Sequence, residues 1–157
     1  MQIVFGVEHC ELRDQGSNYL NEFLQKITST ANVVDRDDRL CIVQTESDFQ
    51  ALKELFQSEK RLEETYELYP LQSPSTKFNT DYGFVSSSKH AYLFKEMTIP
   101  FRLNEENERA KMAMLQMEEH LVATDDSTSP LLYFADRQQR ELIEQIASAY
   151  QVTVTFL

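Results

Sequence analysis

Ile3, Phe5 and Val7 alternate with Gln2, Gly6 and Glu8, the two-residue period of a strand with one buried face. Ser17 precedes a run in which Leu20, Phe23, Leu24 and Ile27 recur at helical spacing, which predicts a helix over about 18–30 capped by Ser17. Val33 and Val34 form a short apolar pair before a charged turn, 35–39, and a second strand is expected over 40–45. Ser47 and Gln50 have capping-box spacing. The apolar stripe Phe49, Leu52, Leu55 and Phe56 then predicts a helix that the pattern carries through Leu62 and Tyr66 to about Tyr69, where Pro70 stops it.

Residues 70–81 lack any period and hold two prolines, Pro70 and Pro74, so they read as a linker. Tyr82–Val85 and Ala91–Ile99 suggest two strands of a hairpin, joined by residues 86–90 without the usual glycine and ended by Pro100. Asn104 is the expected cap of a helix over about 105–121, with Ala110, Met114, Met117 and Leu121 on its apolar face and Met112 pointing elsewhere. Residues 123–129 read as a polar loop and 131–134 as a short strand. Asp136 and Gln139 open a helix carrying Leu142, Ile143, Ile146 and Tyr150, and Val152, Val154 and Phe156 alternate in a terminal strand.

The predicted order is βαβα-ββαβαβ, an α+β (mixed α/β) chain with a mixed sheet of about five to six strands and about four helices. The β-α-β run over 131–157 makes its two strands parallel if they share a sheet. Strand-helix-strand units recur in both halves without a sequence repeat. One domain over 1–157 is the expectation for this length, with a subdivision into 1–69 and 82–157 around the linker as the alternative.

Charge changes the picture. The formal net charge is −11, but it is unevenly spread. Residues 46–67 carry seven acids and three bases, residues 68–103 two acids and four bases, and residues 104–126 seven acids and two bases. Two segments read as helical are therefore acidic, an arrangement that opposes binding to nucleic acid or anionic lipid and suits a basic partner protein. No run of 18 apolar residues exists, the first residues lack the pattern of a signal peptide, and two cysteines do not make a disulfide framework. A cytoplasmic protein is expected.

Three glycines, Gly6, Gly16 and Gly83, stand in unrelated places, so no phosphate-cradling loop is present. His9, His90 and His120 have no second histidine or cysteine at metal-ligand spacing. The run Asp35-Arg36-Asp37-Asp38 lacks the glycine and terminal glutamate of a calcium loop. Cys10 stands between Glu8–His9 and Glu11, where acids disfavour a thiolate, and Cys41 has apolar neighbours. Ser86, Ser87 and Ser88 form no nucleophile elbow. Lysines and aromatics are interleaved over 77–102, but strands favour aromatics and edges favour lysine without any nucleic acid. No cofactor, metal site or catalytic residue is expected.

The leading expectation is a non-enzymatic regulatory or adaptor module that binds another protein through acidic helices. Its candidate contacts are Glu59, Glu63, Glu64, Glu67, Glu105, Glu106 and Glu108. A second reading is a small enzyme whose site assembles in three dimensions around His9, Cys10, Cys41 and His90, with Tyr82 or Tyr92 nearby. A third is an oligomeric structural protein whose terminal strand, 152–157, extends a neighbour's sheet.

Overall fold

The computed structural model describes residues 1–13, 15–74 and 77–157. Asp14 of the expected turn and Ser75 and Thr76 of the expected linker lie outside the described residues. Among the described residues the elements are β1 (Val4–His9), α1 (Ser17–Thr30), β2 (Val33–Asp37), β3 (Leu40–Val43), α2 (Glu46–Ser58), β4 (Leu62–Leu71), β5 (Gly83–Val85) and β6 (Ala91–Phe94). They continue as β7 (Thr98–Leu103), α3 (Glu108–Met117), β8 (Leu121–Asp125), β9 (Leu132–Asp136), α4 (Arg140–Ala149) and β10 (Val154–Phe156). The α+β class and the general order hold. The strands are divided between two antiparallel sheets, one of six in the order β2-β3-β1-β4-β6-β5 and one of four in the order β10-β7-β9-β8.

The chain falls into two compact units. The N-terminal unit takes Gln2–Pro70 and Val85–His90, and the C-terminal unit takes Met1, Leu71–Phe84 and Ala91–Leu157. Each contains one β-α-β-β-α-β run, β1-α1-β2-β3-α2-β4 in the first and β7-α3-β8-β9-α4-β10 in the second. Numbered within its own run, each set of four strands has the order 4-1-3-2. That is the split β-α-β arrangement of ferredoxin-like domains, and it repeats here without a matching sequence. In the C-terminal unit β9 and β10 are both antiparallel to β7, hence parallel to each other with β7 between them. The crossover expected over 131–157 is thus present, opened by one intervening strand.

Each unit has its own core. In the N-terminal unit Phe23 and Ile27 of α1 and Leu52 and Phe56 of α2 pack with Val7, Cys41 and Val43 of the sheet. In the C-terminal unit Ala110, Ala113 and Met117 of α3 and Ile143, Ile146 and Ala147 of α4 pack with strand residues such as Ile99, Phe101 and Ala135. Met112 is half exposed, as the helical period requires.

The helix predicted to run to Tyr69 stops at Ser58, and residues 62–71 form β4. The stop is made by Lys60, whose φ of 57° is left-handed. The Arg61 N–H donates to Phe56 O and the Lys60 N–H to Gln57 O, which is the Schellman closure. The same closure ends α4, where Gln151 has φ 57°, Val152 N–H donates to Ala147 O and Gln151 N–H to Ser148 O. Glycine usually marks this position, and neither site has one. Other boundaries moved for similar reasons. Thr45, not Ser47, caps α2, its Oγ1 accepting from the Asp48 N–H at 3.1 Å. Asn107, not Asn104, caps α3, so Glu105 and Glu106 precede the helix. Residues 121–125, read in part as loop, form β8, and Asp35 belongs to β2, not to a solvated turn.

Pro100 lies inside β7 instead of ending it. In an antiparallel strand a residue's N–H and C=O point to the same neighbour. Pro100 O accepts from the Leu157 N–H, so the donor it lacks faces the side of β10, beyond the end of that short strand at Phe156.

A left-handed non-glycine residue costs about 1–2 kcal/mol, and glycine returns about 0.5–1 kcal/mol of that through chain entropy. Lys60→Gly and Gln151→Gly should therefore each stabilise the chain by about 0.5–1 kcal/mol in urea unfolding. Lys60→Val should destabilise it, because a β-branched side chain fits the left-handed region worst.

Candidate partner-binding groove

The C-terminal unit has a concavity of about 430 Å³ beside α3, within the range of binding clefts. Three pieces of chain form it. The end of β7 supplies Leu103, α3 supplies Ala110, Met114 and Leu115, and the β8–β9 connection supplies Pro130 and Leu131 ahead of Tyr133. The helical period puts Ala110, Met114 and Met117 on one side of α3, with Met117 fully in the core, Met114 part-buried between core and groove, and Leu115 turned outward. Leu115 is 65% exposed and Leu131 41% exposed. Around this apolar floor stand Glu105, Glu106 and Glu118, with Lys111 the one basic lining residue among the described residues. Lys111 is paired with Glu108 at 2.8 Å, and Glu118 with Lys77 at 3.1 Å.

The wall is pinned by Asp125 at the end of β8. This buried carboxylate accepts from the backbone N–H groups of Gln72 and Ser73, at 3.3 Å each, and from Ser127 through its N–H and its hydroxyl, at 3.0 and 2.6 Å. Burial pushes its pKa up, but the donors from Ser127, Gln72 and Ser73 outweigh that and hold it below the ordinary aspartate value. The other side is tied by Glu105, whose Oε2 accepts from the Thr153 N–H at 2.7 Å, a bond that lowers its pKa. Burial, with Asp126 and Glu106 adding, pushes the Tyr133 phenol up.

Of the seven expected contacts, Glu105 and Glu106 line the groove and Glu108 opens the adjoining helix. The other four belong to the N-terminal unit and do not share a helix face. Glu59 caps the end of α2 and bonds Lys26 at 2.6 Å, an ion pair that lowers its pKa and ties α2 to α1. Glu63, Glu64 and Glu67 lie on β4, where the two-residue period puts Glu64 on the face opposite Glu63 and Glu67.

Within the N-terminal unit the histidines and thiols of the enzyme reading have separate partners. His9 is buried, its ring edge-on to Phe23 and Phe56 at 5.3 and 5.7 Å. A hydrogen bond with Glu63 and then burial raise the Cys10 thiol, and burial raises Cys41. His90 Nδ1 lies 3.1 Å from Asp35, which also accepts from Ser86 Oγ at 2.7 Å. Serine and histidine both point at the carboxylate, so the imidazole is not placed to take the serine's proton, and Ser86 is itself buried. This trio closes the 86–90 turn, where Lys89 (φ 68°) takes the left-handed place that a glycine would usually fill. Tyr82 and Tyr92 belong to the C-terminal unit, with Tyr82 donating to Asp136 at 2.7 Å. Among the described residues no group of three or more His, Cys, Asp or Glu side chains could hold a metal ion, and no helix is long and apolar enough to cross a membrane. β10 forms one edge of the four-stranded sheet.

No protein-family model, curated protein or solved structure matches the chain.

Asp125→Asn keeps the shape and removes the charge. The folded pKa of Asp125 is depressed, so its contribution is complete above the unfolded value near 4 and is lost as pH falls through the folded value. The variant should be about 1–3 kcal/mol less stable than wild type at pH 7, and the gap should narrow as the pH falls below 4, as read by denaturation at pH 7 and pH 3.

Proposed function

We propose that the chain is a non-enzymatic regulatory or adaptor module, and that its groove receives a segment of another protein in which an apolar side chain is flanked by lysine or arginine. The observation that carries this is the pairing of exposed Leu115 and Leu131 around a concave apolar floor with Glu105, Glu106 and Glu118 on its rim. Filling such a floor with one leucine-sized side chain contributes roughly 1.5–3 kcal/mol. Rim carboxylates add orientation and association rate, and they turn away acidic competitors. A reducing, cytoplasmic setting suits the two free thiols, Cys10 and Cys41.

The test combines affinity capture from the native host with titration of two synthetic amphipathic peptides, one of leucine and lysine, the other of leucine and glutamate. The basic peptide should bind and perturb the Met114 methyl signal, and the acidic one should not. Leu131→Asp should weaken binding at least about tenfold, or about 1.4 kcal/mol. Glu106→Lys should weaken it less and flatten its salt dependence. A captured partner indifferent to salt and to both substitutions would overturn the reading.

A further inference from the structure

The N-terminal unit has a second cleft, of about 290 Å³, at the place in its run that corresponds to the groove. It lies after the first strand, beside the first helix and against the hairpin of the second and third strands. Leu12, Leu20 and Leu24 form an apolar wall, and the β2–β3 hairpin presents Arg36 and Arg39. Among the described residues no carboxylate lies within ion-pair distance of the Arg36 guanidinium. Arg39 has only a loose hold on its own acids, 3.9 Å from Glu8 and 3.5 Å from Asp38, the latter 86% exposed.

We propose that this cleft binds a small monocarboxylate with a short apolar chain, its carboxylate on the Arg36 and Arg39 guanidiniums and its chain against Leu12, Leu20 and Leu24. Guanidinium forks match a carboxylate in two parallel hydrogen bonds. The volume is at the lower end for ligand sites, which suits a small molecule. Glu11 and Asp38 also line the cleft. Glu11 is paired with Arg13 and Asp38 is largely exposed, so the guanidiniums can still take a carboxylate, while the two acids disfavour the higher charge of a phosphate.

His9 reports on the site. It lines the cleft, and its Nδ1 lies 2.8 Å from Cys10 O. A neutral ring donates there and leaves Nε2 as an acceptor. Burial lowers its pKa, with the Cys10 carbonyl opposing, Arg36 and Arg39 lowering it further and Asp38 raising it. An anion placed beside the arginines favours the imidazolium, so binding and protonation of His9 must strengthen each other.

The experiment follows the histidine ring signals of the intact chain by NMR across pH, alone and with hexanoate, hexanol or inorganic phosphate, with His90→Gln and His120→Gln fixing the assignment. Hexanoate should saturate and raise the His9 midpoint by about one pH unit, while hexanol and phosphate leave it in place. Arg36→Gln and Leu20→Glu should each abolish saturation while the amide spectrum stays native. Leu20 is 38% exposed, so that second variant tests the cleft without touching the core. Leu131→Asp, which disables the groove, should change nothing here. Absence of hexanoate saturation in the wild type, saturation that survives Arg36→Gln, or phosphate binding as tight as hexanoate would each overturn the proposal.

Discussion

A β-α-β-β-α-β run can hide the apolar faces of its two helices only by closing a sheet beneath them with its own first strand near the centre. Both halves of this chain obey that constraint, and the rest of each unit follows from it. Val7 and Cys41 lie under Phe23, Ile27, Leu52 and Phe56 in one core, and Ile99, Phe101 and Ala135 join Met117, Ile143 and Ile146 in the other. The central strand must be apolar and continuous, which is why β7 retains its pairing through Pro100. The hairpin between the second and third strands, and the chain leaving the first strand, are not needed to close the core. They are left to shape whatever lies beside the first helix.

Both clefts lie at that place, and their chemistry differs: the groove is lined by more acids than bases, and the N-terminal cleft by two of each. In the C-terminal unit the chain leaving β7 carries Glu105 and Glu106, and the β8–β9 connection carries Pro130 and Leu131. In the N-terminal unit the chain leaving β1 carries Leu12, and the β2–β3 turn carries Arg36 and Arg39. The supporting parts differ too. Asp125 needs four donors to hold a long connection in place, whereas Asp38 (φ 49°) turns the tight β2–β3 hairpin within two residues. A longer connection makes a wider groove, and a tight one makes a smaller cleft.

Much of the fold was legible in the amino-acid order, because β1 and β10 alternate, β3 is a short unbroken apolar run, and the helices α1 and α4 carry clean apolar stripes. What stayed hidden has specific causes. Lys60 and Gln151 close helices in the conformation usually left to glycine, so nothing in the letters marked the end of α2, and Leu62 and Tyr66 happened to extend its period. Thr124 and Asp125 are polar but buried, their polarity serving loop hydrogen bonds instead of solvent. The repeat of topology was hidden because the two runs share strand order and helix endings but not side chains. Of the candidate site, Glu105, Glu106 and Glu108 were legible as charge, whereas Leu115, Leu131 and Arg36 were not. Their significance depends on which face the backbone leaves open.

The distribution of charge then acquires a structural meaning that a net value of −11 conceals. Several carboxylates on β1, on β4 and at the end of α2 are absorbed locally. Glu59 holds Lys26, Glu64 accepts from the Thr65 N–H, and Glu8 accepts from Tyr66, whose phenol burial first and that bond second push up to about 12. The carboxylates around the groove border an apolar floor on which Leu115 and Leu131 are exposed. Glu105 and Glu118 are also bonded within the chain, to the Thr153 N–H and to Lys77, so what sets the groove acids apart is the exposed leucine beside them, which they give a direction of approach. Position next to exposed apolar surface, not abundance, therefore separates the acids of the groove from the rest.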